Sequence, residues 1–120
     1  MRAGLALSFV LALAAAPALA ADAVPPEAQP AIDAVKGMLK SSKSAGFRKI
    51  KVTPAGDVCA LVSPSAGSDD REFTWSKVTG EVWINESPDD ARSEFVWGNP
   101  NLKRSTERPD YQAWKACQKG

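Results

Sequence analysis

Two cysteines constrain this chain more than any other feature: Cys59 lies near its middle and Cys117 almost at its end. A bond between them would close a long loop and fasten the tail to the centre of the fold. On the chain-entropy account such a closure stabilises by roughly 4 kcal/mol, a large part of the total expected for a small domain. Whether it forms depends on the compartment, and the amino end bears on that. Residues 1–20 have the layout of a secretory signal peptide: Arg2, an apolar run over 5–16, Pro17, then the small-x-small triplet Ala18-Leu19-Ala20. The predicted cut follows Ala20. The apolar run is shorter than the ~20 residues that cross a bilayer, which argues against an uncleaved anchor. No cysteine follows the cut to take a lipid. In an oxidising compartment two thiols pair. Neither has a CxxC partner, and the chain has no histidine, which argues against a reactive thiol.

The cut leaves a single domain over residues 21–120, with 14 basic against 14 acidic side chains once Arg2 is gone. Zero net charge argues against nucleic acid or an anionic membrane as partner. A chain of this size buries one core with little surplus stability.

Residues 47–63 read as a β-hairpin, with alternating runs over 47–53 and 57–63 about a Pro54-Ala55-Gly56 turn. Ile50 and Val52 share one face with Arg48, and Lys49 and Lys51 take the other. The second run is apolar on both faces, as a central strand covered on both sides would be. A second hairpin spans 71–78 and 81–85 around Thr79-Gly80, with Phe73 and Trp75 facing Val82 and Ile84, and Trp83 on the other side. Residues 93–97 form a short apolar run and a candidate fifth strand; 98–104 read as irregular. Ahead of the hairpins, residues 21–29 form a loose leader and a helix over about 28–40 places Ile32, Val35 and Leu39 on one face. Its Gly37 costs up to ~1 kcal/mol relative to Ala, and a closely passing strand would account for it. A last helix over about 107–118 starts from Thr106 as cap with Pro109 in its first turn, and sets Tyr111, Trp114 and Cys117 on one face. The order α-β-β-β-β-(β)-α implies an α+β domain: an antiparallel sheet of four to five strands, with an N-terminal and a C-terminal helix on one face and one disulfide.

A helix, a Phe-led strand, a turn followed by Val58-Cys59-x-x-Val62, an aromatic hairpin and a terminal helix ending in Cys117 together resemble a group of small exported bacterial proteins. In that group the second strand reads Val-Cys-Gly-x-Val-Asn; here Ala60 stands for the Gly and Ser63 for the Asn. The resemblance implies the fold and export, and carries over no catalytic residue.

The absence of histidine removes Ser-His and Cys-His nucleophile pairs and the usual zinc ligands. No S-x-x-K occurs, and the glycines are scattered singly, so there is no phosphate loop. No cofactor and no metal are expected. Carboxylates remain: Asp69, Asp70 and Glu72, with Asp89 and Asp90, are the candidates for a hydrolase pair or a Ca²⁺ site, although the D-x-D-x-D-G spacing is missing. Carboxylates in polar loops are usually only solvated. Asn85-Glu86-Ser87 formally matches a glycosylation acceptor. The basic groups around Arg48-Lys49-Lys51 and Lys103-Arg104-Arg108 read as solvated faces. The positive feature is four tryptophans. Trp75 and Trp114 read as core. Trp83 and Trp97, if exposed, would stack on a sugar or anchor a protein partner; otherwise they complete a modest core. The expectation is a periplasmic or secreted, non-enzymatic domain acting by binding. An envelope glycan or another exported protein, such as an enzyme it inhibits, would be the partner; a carboxylate hydrolase is the alternative.

Overall fold

A computed structural model of the chain describes residues 23–119. The expected signal segment 1–20, its cut after Ala20 and residues 21–22 lie outside the described residues. The described chain runs α1 (Gln29–Gly37), β1 (Gly46–Val52), β2 (Val58–Ser63), β3 (Arg71–Trp75), β4 (Val82–Ile84), β5 (Leu102–Arg104) and α2 (Tyr111–Lys119). The strands form one sheet in the order β1-β2-β3-β4-β5.

β2 is the hub, as its two-sided apolar run implies. It pairs antiparallel with β1 and with β3, and Val58, Cys59, Ala60 and Val62 are all buried. The first hairpin closes through Pro54-Ala55-Gly56, where Gly56 donates its N–H to Thr53 O at 2.8 Å and takes φ 92°, a conformation that suits glycine. The second hairpin also forms, with Phe73 opposite Ile84, Thr74 opposite Trp83 and Trp75 opposite Val82.

Strict alternation fails in β1. Arg48 pairs with Leu61, but Lys51 pairs with Cys59, so β1 carries one extra residue. Lys49 takes φ 53° at this bulge, the left-handed conformation that the first residue of a G1-type bulge adopts, where glycine is usual. The extra residue changes which side chains share a face. Phe47 and Ile50 both lie toward the core, and Arg48, expected on the face of Ile50 and Val52, lies instead with Lys51 on the face of Cys59.

The sheet is mixed rather than wholly antiparallel, because β5 runs parallel to β4, pairing Val82 with Leu102 and Ile84 with Arg104. The fifth strand is therefore 102–104, not 93–97. A parallel neighbour requires a crossover, and residues 93–97 are part of it. Phe95 makes one antiparallel bridge to Leu39, flanked by Lys40 N to Glu94 O at 2.8 Å and Val96 N to Met38 O at 2.7 Å. That bridge also explains why α1 stops at Gly37 instead of residue 40: Met38 and Leu39 turn out of the helix to meet Phe95. A Cβ at Gly37 would meet nothing within 4 Å, so close packing is not the reason for this glycine. The expected loose leader is partly built in: Val24 packs on the core and Pro26–Ala28 forms a 3-10 turn with Ala28 fully buried.

The two helices lie on opposite faces of the sheet, not on one. α1 packs Ile32 and Val35 on Ala60, Val62, Phe73, Val82 and Ile84, and this face holds the main core, with Phe47 edge-on to Phe73 at 6.0 Å. α2 covers the other face, where Cys59 bonds Cys117 with Cα atoms 6.6 Å apart. The helix begins later than expected. Pro109 disfavours helical backbone at the residue before it, and Arg108 is extended at φ −72°, ψ 128°. Residues 105–107, with the expected cap Thr106, instead make a separate 3-10 turn.

Candidate functional site

The β3–β4 turn and the start of α2 face each other across the disulfide side of the sheet. Trp83 points to this side because its neighbours Val82 and Ile84 point to the core. Pro109 holds Arg108 extended, and this brings its guanidinium over the Trp83 ring, 5.8 Å from the centroid. The Arg108 side chain is only 13% exposed. Its Nε and Nη2 donate to the Asp110 carboxylate, the second at 3.2 Å, and this hydrogen bonding holds the Asp110 carboxyl below its usual range.

Around this pair lies an open cleft of about 460 Å³, lined by Ser76, Thr79, Glu81, Trp83, Arg108, Pro109 and Asp110. That volume falls within the range of ligand clefts, roughly 300–1,000 Å³. The turn bracing its rim is closed by Ser76 N to Glu81 O at 2.9 Å and Thr79 Oγ1 to Glu81 Oε1 at 3.2 Å. The lining combines one aromatic plane, hydroxyls, two carboxylates and a guanidinium. This mixture suits a ligand with an apolar face and several hydroxyl or amide groups. Beneath Arg108 a smaller chamber of about 210 Å³ reaches Thr74, Trp114 and Cys117 under α2.

Trp97 does not join Trp83. It packs against the main core, on the α1 side, and its indole N–H donates to Ser93 Oγ at 2.9 Å within its own loop. Trp75, expected in the core, is half-buried at the edge of both apolar clusters. Trp114 is 3% exposed but lies under α2, outside the main cluster.

Asp69 and Asp70 lie in the β2–β3 connection, Glu72 on β3, and Asp89 and Asp90 in the β4–β5 crossover. Asp70 pairs with Arg48, and the Asp69 carbonyl accepts from Arg71 Nη1 at 2.8 Å. Glu72 on β3 borders the disulfide. Asp90, in the crossover with Asp89, accepts from Arg92 N at 2.9 Å. Among the described residues no group of three or more Cys, Asp and Glu is placed to hold a metal ion. Of the basic groups expected to be solvated, Arg104 pairs with Glu107 at 2.6 Å and Arg108 is the central residue of the cleft. Sequence reasoning missed Arg108. The Arg-Pro pair, which forbids helix at that position, was the signal that its side chain would be held apart from the helix surface.

What fold and cleft define is a small disulfide-stapled α+β domain with an aromatic cleft beside its second helix. Comparison of the chain with family models, curated proteins and solved structures finds no significant match.

Proposed function

We propose that this chain is an exported domain, periplasmic or secreted, that acts by binding rather than by catalysis, with the Trp83 cleft as its contact surface. The observation that carries this reading is Trp83 held under Arg108 in a cleft rimmed by hydroxyls and carboxylates. Export is supported by the signal layout of residues 1–20 and is compatible with the Cys59–Cys117 bond. Among the described residues no helix is long and apolar enough to cross a membrane. The lining favours an envelope glycan: its C–H face packs against the part of the Trp83 indole that Arg108 leaves open, and its hydroxyls pair with the rim's carboxylates and hydroxyls.

Titration with peptidoglycan fragments, followed by tryptophan fluorescence, tests this. A saturable shift that is lost in Trp83→Ala and kept in Trp97→Phe is expected. No shift with any fragment would count against a glycan. A protein partner is the second reading, with the exposed β3–β4 turn that rims the cleft and carries Val78 as its contact. On that reading a captured hydrolase loses its grip in Val78→Ser.

A further inference from the structure

We propose that the Cys59–Cys117 bond is a reducible latch, and that the small hollow at its surface is a thiol–disulfide exchange site for a dithiol reductant. The proposal is independent of what the Trp83 cleft binds.

Three observations carry it. The first is access. Both half-cystines line a surface hollow of about 90 Å³, together with Lys49, Lys51 and Glu72. Cys59 is 1% exposed and Cys117 is half-buried, so Cys117 is the half-cystine more open to solvent.

The second is charge. An incoming thiolate and the departing thiolate are both anionic, and neighbouring ammonium groups favour both. Lys51 lines the hollow beside the two sulfurs, with Glu72 on its wall. The β1 bulge is what turns Lys51 toward Cys59.

The third is the weak non-covalent seat of α2. Trp114 is its one fully buried residue, while Ala113 and Ala116 are exposed. Thr74 Oγ1, Arg108 Nη1 and Trp114 Nε1 are all buried at this interface with no hydrogen-bond partner among the described residues. Buried polar groups without partners oppose docking. Gln118 Nε2 does reach Phe73 O at 3.0 Å. The main core lies on the opposite face with α1, so α2 can leave without opening it.

The step balances as ordinary exchange. A thiolate of the dithiol attacks Cys117 Sγ in line with the S–S bond and forms a mixed disulfide. Cys59 Sγ departs with the bonding pair and takes a proton from solvent. The second thiolate of the dithiol then displaces Cys117, which is protonated in turn, and the dithiol becomes a disulfide. Two electrons and two protons have passed to the protein. α2, no longer tethered, undocks, exposing Trp114 and the sheet face beneath.

The test is titration of the oxidised protein with dithiothreitol without denaturant. Thiols are counted by alkylation and mass spectrometry, and hydrogen exchange is read by segment. The expected result is two alkylatable thiols, with loss of protection confined to 111–119 and protection of β1 to β4 retained. Reduction only together with loss of protection across the sheet would overturn the proposal. So would reduction that leaves α2 protected. Lys51→Gln should slow native-state reduction several-fold, and an unchanged rate would remove the electrostatic part of the argument.

Discussion

Thr74 sits in β3 between Cys59 of β2 and Trp83 of β4, 3% exposed, and its hydroxyl has no hydrogen-bond partner among the described residues. Leaving a buried hydroxyl unbonded costs about 1–3 kcal/mol. Valine has nearly the same shape and the same fitness for a strand. Thr74→Val therefore removes that cost without opening a cavity, and should stabilise the oxidised protein by about 1–2 kcal/mol. For a domain of about 100 residues this is a rise in Tm of roughly 5–10 °C. Urea denaturation followed by circular dichroism, alongside a thermal scan, measures it. The midpoint should rise with the slope unchanged. A midpoint lowered by the equivalent of about 1 kcal/mol would show that the hydroxyl is bonded after all, by water for example, and that the α2 interface is better satisfied than argued. The same substitution should make α2 harder to release after reduction.

Three other substitutions probe separate parts of the argument. Gly37→Ala places a methyl in open space at the end of α1 and should stabilise by up to ~1 kcal/mol in the same denaturation assay. Arg71→Ala strands the Glu86 carboxylate, whose side chain is 3% exposed and bonded to Arg71 Nε at 3.0 Å; a loss of about 3 kcal/mol or more in urea is expected. Asp110 has its carboxyl held low by Arg108, so its contribution is present above the unfolded carboxylate range and disappears as pH falls through its folded value. Asp110→Asn should therefore cost below about 1 kcal/mol at pH 7, the group being half exposed, and the difference from the parent should close in acid, as thermal scans across pH would record.

What was legible in the sequence is what short-range physics controls. The double-faced apolar run of β2, the Pro-Ala-Gly turn and the alternation of Phe73, Trp75, Val82 and Ile84 each appear as expected, and so does the cysteine pairing. The misreadings have separate causes, long-range in one case and local in others. Leu39 fits a helical face, yet its pairing with Phe95 draws it out of α1. β5 has three residues with one inward apolar side chain, Leu102, too few to show any period. The bulge at Lys49 carries no glycine, so alternation through β1 looked continuous. The site was legible only in part. Trp83 was identified from its face of β4, but Trp97 was grouped with it by composition, and the role of Arg108 depends on an approach between two distant segments that no spacing reveals.

The sheet has two open margins, β1 and β5, and neither invites another strand. β1 is kinked by its extra residue and bears Arg48, Lys49 and Lys51, and β5 is three residues long with Lys103 and Arg104. Two copies meeting edge to edge would find hydrogen-bonding groups out of step. Neither edge of the described sheet is therefore a ready template for a further strand.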